Sequence, residues 1–157
     1  MFKSFLGKIF GYTPSYFRRL YSRFFNAQFS VTAGAVVIDG EGRILLLKHV
    51  FRAGSGWGIP GGFIKAAEQP EEALRRELRE EVGLELGATE IAFIRTLKRM
   101  QQVEILFLCG PNGEAKPQSV EIESAEWFSL DDLPKDLSQD QQFLIQKVLS
   151  HRAKRPT

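Results

Sequence analysis

Residues 62–84 read Gly62-Phe-Ile-Lys-Ala-Ala-Glu-Gln-Pro-Glu-Glu-Ala-Leu-Arg-Arg-Glu-Leu-Arg-Glu-Glu-Val-Gly83-Leu84, and Gly61 precedes them. A glycine turn comes first, then Glu68, then Arg76, Glu77, Glu80 and Glu81 in one run that ends at Gly83. Like charges repel at helical spacing, so carboxylates this dense need a compensating cation. Gln69-Pro70-Glu71-Glu72 reads as a helix start. Proline is tolerated in a first turn, and acidic residues there complement the positive end of the helix dipole. Gly83 reads as the stop. At roughly 100° per residue, Leu74, Leu78 and Val82 share an apolar stripe that should face a core. Glu77, Glu80 and Glu81 share a neighbouring acidic stripe with Arg76 at its edge. Glu72, Arg75 and Arg79 are expected to point to solvent.

Oxygen donors select hard cations such as Mg²⁺ or Mn²⁺. Magnesium keeps waters and divides itself between one or two carboxylates and substrate phosphates, which suits an incomplete acidic site of this kind. The ordinary alternative is a solvated helix laced by Arg–Glu pairs. That is the reading for Glu71, Glu72, Arg75 and Arg79.

The spacing G-x5-E-x7-R-E-x2-E-E-x-G, met by Gly62, Glu68, Arg76, Glu77, Glu80, Glu81 and Gly83, resembles the signature of the Nudix hydrolases. Weaker likeness covers residues 31–149, with Trp57-Gly-Ile-Pro-Gly-Gly before the box and Glu126-Trp127-Phe128-Ser129-Leu130 after it. The resemblance implies an α/β (α+β) fold, an α-β-α sandwich around a mixed sheet, in which the box forms a loop–helix–loop metal site. It implies cleavage of a diphosphate linkage in a nucleoside diphosphate joined to another group, with Mg²⁺ or Mn²⁺ as cofactor. By the same likeness Glu77, Glu80 and Glu81 are candidate metal ligands, with the Gly61 carbonyl and Glu121 as further ones. Arg76 would orient the carboxylates and pair with Glu68, while Gly62 and Gly83 support the turns. Glu77, Glu81 and Glu121 all stand as possible bases. Glu104, Glu123 and Glu126 are substitutes for Glu121. One departure is Ala67, where members often carry glycine.

Substrate choice must come from outside the box, and Trp57, Arg52 and Arg95 are the candidate substrate-binding residues. The expected substrate is a nucleoside triphosphate or a nucleoside diphosphate derivative. The alternative is a regulator that keeps the fold and binds nucleotides or RNA without catalysis. The complete set of box carboxylates favours hydrolysis.

A chain of 157 residues supports one domain with a real core. The single cysteine, Cys109, excludes an internal disulfide framework, and His49 and His151 share no metal-ligand spacing. A net charge of +2 makes no bulk electrostatic case for nucleic acid. No apolar run reaches the length of a membrane span, and a cytoplasmic location is the default expectation.

Residues 1–28 form an aromatic and basic extension, with Phe2, Phe5, Leu6, Ile9 and Phe10 at helical spacing and Thr13-Pro14-Ser15 as a break. It is expected to pack on the domain or on a second copy in a homodimer, or to touch a membrane surface peripherally. Residues 29–150 are read as the hydrolase domain and 151–157 as a basic tail. Within the domain, 29–38 and 43–50 read as a hairpin, and 91–97 and 103–109 as strands. Residues 119–129 read as a strand carrying Glu121, and 139–149 as a helix with Phe143, Leu144 and Val148 inward.

Overall fold

The computed structural model describes residue 17, residues 26–52 and residues 54–153. The expected helical pieces within 1–28 and the end of the basic tail lie largely outside these residues. From Asn26 onward, the strands and α-helices of the described residues run in order: β1 Ser30–Val37, β2 Ile44–His49, β3 Trp57–Gly58, β4 Gly61–Phe63, α1 Pro70–Val82, β5 Glu85–Leu97, β6 Gln102–Asn112, β7 Ile122–Phe128 and α2 Gln139–Ala153. One sheet has the order β4-β1-β6-β5 and the other β3-β2-β7. The larger sheet is mixed: β1 runs parallel to β6 and antiparallel to β4, and β5 is antiparallel to β6.

The run Ile44-Leu45-Leu46-Leu47 shows why the molecule has two cores. All four side chains are buried, as expected of a strand covered on both faces. Leu45 and Leu47 join Ala33, Ala35, Val37 and Phe107 beneath Leu74, Leu78 and Val82 of α1. Ile44 and Leu46 join Val36 and Leu106 beneath Leu144, Ile145 and Val148 of α2. Period-two alternation in β1, β2 and β6 therefore feeds both layers, and the α-β-α sandwich follows.

Several local expectations change. Residues 29–38 and 43–50 do not form a hairpin. A single bridge, Ile38 to Ile44, joins them before β1 and β2 part into different sheets. Glu121 lies in the turn before β7, not within a strand. Arg75 makes the expected pair with Glu71 at 2.9 Å, and its guanidinium also donates to the carbonyls of Leu86 and Gly87 at 2.6 and 2.8 Å, tying α1 to β5. Phe143 is 41% exposed, edge-on to Phe93, and Ile145 takes the inward position. Helix α2 runs on to Ala153, and His151 lies 2.9 Å from Glu90 instead of trailing in a tail.

Candidate active site

The box is built by the two ends of α1 and the glycine turn beside it. At the start, the Glu72 carboxylate accepts the Gln69 N–H at 2.9 Å. At the end, Gly83 takes a left-handed conformation (φ 66°), its N–H bonding to Arg79 O and that of Leu84 to Leu78 O. This is a Schellman-type close, which glycine makes without steric cost. The two glycines of the turn have separate reasons to lack side chains. A Cβ on Gly61 would lie 2.3 Å from the Ala33 carbonyl oxygen of the neighbouring strand, and one on Gly62 would lie 2.3 Å from the Glu77 carboxyl carbon. The second contact shows that the acidic helix sits directly on the turn.

Arg76 organises the carboxylates. Nε and Nη2 reach the two Glu68 oxygens at 2.8 and 3.0 Å, Nη1 reaches Glu77 at 2.7 Å and Glu80 at 3.2 Å, and Nη2 also reaches the Phe63 carbonyl at 3.1 Å. A guanidinium has five N–H donors in a fixed fork, and this one uses them fully. The bidentate bond from Arg76, helped by the Lys65 N–H, holds the Glu68 carboxyl down at about 2.

Glu81 behaves differently. The residue is half-buried, but its Oε2 is cut off from solvent and has no hydrogen-bond partner. Burial, with the nearby Glu77 charge, pushes its pKa up to about 8, against the opposing pull of the Gly61 N–H and Arg52. The charge of Glu121, on the surface turn before β7, adds a smaller upward push. A bare buried carboxylate oxygen is costly. A hard divalent cation satisfies it, so the donor set fits Mg²⁺ or Mn²⁺. Among the described residues, no three acidic, histidine or cysteine side chains already stand in a ligand cluster. Glu77 and Glu80 are turned to Arg76, and Glu81 holds the bare oxygen.

The other expected residues are placed as follows. Arg52 lays its guanidinium over Gly58, where a Cβ would fall 1.4 Å from Nη1, and it lies in the fields of Glu81 and Glu104. Burial lowers its pKa. Trp57 is half-buried, edge-on to Phe128 with ring centroids 5.1 Å apart. Arg95 is ion-paired to both Glu104 and Asp140, and Glu123 is paired with Lys48 at 2.9 Å. His49 ends β2 with its Nε2 buried and unpartnered, and burial and Arg52 depress its pKa to about 4.

Sequence reading missed a cavity of about 220 Å³ beside the glycine turn, lined by Thr32, Phe63, Gln102, Glu104 and Gln141 together with Arg52. Its signal was present: Gln102 and Glu104 are polar residues two apart in a strand whose next inward residue on that face is Leu106.

Residues 28–148 match the NUDIX domain family. The chain belongs to the Nudix family. The MutT NUDIX hydrolase of Burkholderia pseudomallei superimposes with a TM-score of 0.69 at 30% identity, covering 77% of this chain and 98% of that one. A MutT-like protein of Streptomyces ambofaciens is 29% identical over 70% of this chain and 70% of its own length. The m7GpppN-mRNA hydrolase dcap-2 of Caenorhabditis elegans is 35% identical over 67% of this chain, which spans only 14% of that protein. No helix among the described residues of this Nudix chain is long and apolar enough to cross a membrane.

Proposed function

We propose that this Nudix protein is a metal-dependent hydrolase that cleaves the diphosphate linkage of a nucleoside triphosphate or nucleoside diphosphate derivative by attack of water on phosphorus. The observation that carries this reading is the buried, unpartnered Oε2 of Glu81 beside Glu77. Glu77, Glu80 and Glu81 would hold Mg²⁺ or Mn²⁺, with Glu121 and the Gly61 carbonyl as further donors. Such an ion supplies charge neutralisation on the diphosphate and acidifies water.

The protein's own groups do the rest. Arg76 fixes Glu77 and Glu80 through one guanidinium, itself locked by Glu68. The proton of the attacking water would go to whichever of Glu77, Glu81 and Glu121 is not holding the ion. Arg52 offers a guanidinium that makes no ion pair among the described residues and faces the same space, suited to a phosphate oxygen. Arg95 acts indirectly, by holding Glu104 and Asp140, and Trp57 packs against Phe128 away from the cavity lining.

The test is Glu81→Gln. It preserves shape and removes the anionic oxygen. The expected loss in kcat is at least about 100-fold, with the melting temperature unchanged or higher, because a neutral amide replaces a buried acid. Near-normal turnover in the folded variant would overturn the assignment.

A further inference from the structure

The cavity beside the glycine turn has a sheet-level origin. Register places Phe63 of β4, Thr32 of β1, Glu104 of β6 and Arg95 of β5 in one row across the larger sheet. The next row holds Gly61 and Gly34, which contribute no side chains, and a hollow opens there. Helix α2 closes it: Asp140 binds Arg95 at 2.6 Å, and Gln141 Oε1 accepts the Ile59 N–H at 2.9 Å.

Gln102 lies in the hollow and is only 8% exposed, the one buried polar residue among those described. Its Nε2 donates to Thr32 Oγ1 at 2.8 Å, and its Oε1 accepts no hydrogen bond among the described residues. Its remaining hydrogen-bonding positions are therefore open to a ligand in the hollow. Two residues along the strand, Glu104 spends one oxygen on Arg95 and keeps the other. Two acceptors therefore face one small polar hollow. Phe63, 60% exposed, offers an aromatic face at its edge.

We propose that this hollow binds the base of the nucleotide and selects guanine. The inference rests on the hydrolase reading for the position of the phosphates, and on its own geometry for the base. Guanine alone among the common bases presents two adjacent donors, N1–H and N2–H, on its Watson–Crick edge. Adenine and cytosine set an acceptor beside the amino group, and uracil flanks its N–H with two carbonyls, so each places an acceptor against Glu104 or Gln102. Sites built to hydrogen-bond a ligand reject analogues that leave their buried groups unpaired. Phe63 supplies a stacking surface, which serves any base.

Calorimetric titration of the full chain with GMP, IMP, AMP, CMP and UMP, without divalent cation, tests this. GMP should bind at least about tenfold tighter than AMP, CMP or UMP, with IMP in between because it lacks the 2-amino group. Gln102→Met should erase the gap between GMP and IMP. Phe63→Ala, at an exposed position that tolerates truncation, should weaken all five evenly. AMP or UMP matching GMP overturns the proposal, and so does a gap between GMP and IMP that survives Gln102→Met at an unchanged melting temperature. Hydrolysis with equal kcat/KM for all four bases would remove the guanine assignment and leave the hydrolase. GMP selectivity without cleavage of any guanosine diphosphate derivative would do the reverse.

Discussion

At the scale of single residues, Ala67 and Glu81 each sit where their own chemistry is uncomfortable. Ala67 has φ 65°, the left-handed region that costs an L-residue about 1–2 kcal/mol. The turn demands this because the Glu68 carboxylate must return to the Lys65 N–H at 2.9 Å while Glu68 N–H bonds Lys65 O. Ala67→Gly relieves the strain and loses part of the gain to unfolded-state entropy. The expected net effect is a stabilisation of up to about 1 kcal/mol, read as a higher midpoint in urea. A lower midpoint would show that the turn is not strained. The strain was half legible beforehand: glycine is usual at this position in the family, but a sequence does not print a dihedral. The burial of Glu81 was not legible at all, since Glu80 and Glu81 are neighbours of one residue type. Only the packed turn leaves one of them exposed beside Arg76 and sinks the other.

At the scale of elements, α1 was readable in full because every signal agreed. Proline and acidic residues open it, Leu74, Leu78 and Val82 line one face, and Gly83 closes it. The β1–β2 hairpin failed for an equally physical reason. A turn signal between two apolar strands fixes a reversal of direction, not which sheet each strand joins, and both strands are buried on both faces. Helix α1 also predicts an acid response. The Glu68 carboxyl is held at about 2 by Arg76, below its ordinary value of about 4.5. A depressed carboxylate contributes its stability in full above the unfolded pKa and loses it as pH falls towards the folded one. Stability should therefore drop between about pH 4.5 and 2, and Glu68→Gln should flatten that part of the curve. His49, depressed to about 4 by burial, adds a loss of the same sign between about pH 6.5 and 4. A Glu68→Gln variant with an unaltered acid limb would show that the Arg76 clamp carries no linkage.

At the scale of the whole molecule, β1, β2 and β6 are shared between two cores, so neither layer can loosen without the other. Trp57 packs in the α2 core and Trp127 in the α1 core. Single-tryptophan variants, Trp57→Phe and Trp127→Phe, therefore report the two layers separately. Their unfolding midpoints in denaturant, each compared with circular dichroism of the same variant, should coincide with it. A consistent separation would mean that the layers unfold independently. The sandwich was visible in the sequence through the box and the buried runs. The cavity that faces the box was only hinted at, by polar Gln102 and Glu104 in an apolar strand, because it depends on register across four strands and on the seating of α2 by Arg95 and Asp140.

The central claim is that the buried bare oxygen of Glu81 exists to bind a divalent cation. Electron paramagnetic resonance of Mn²⁺ titrated into the wild type and into Glu81→Gln tests it without substrate. The account predicts bound Mn²⁺ in the wild type and affinity at least about tenfold weaker in the variant. Equal affinity in both, with both folded, would contradict it.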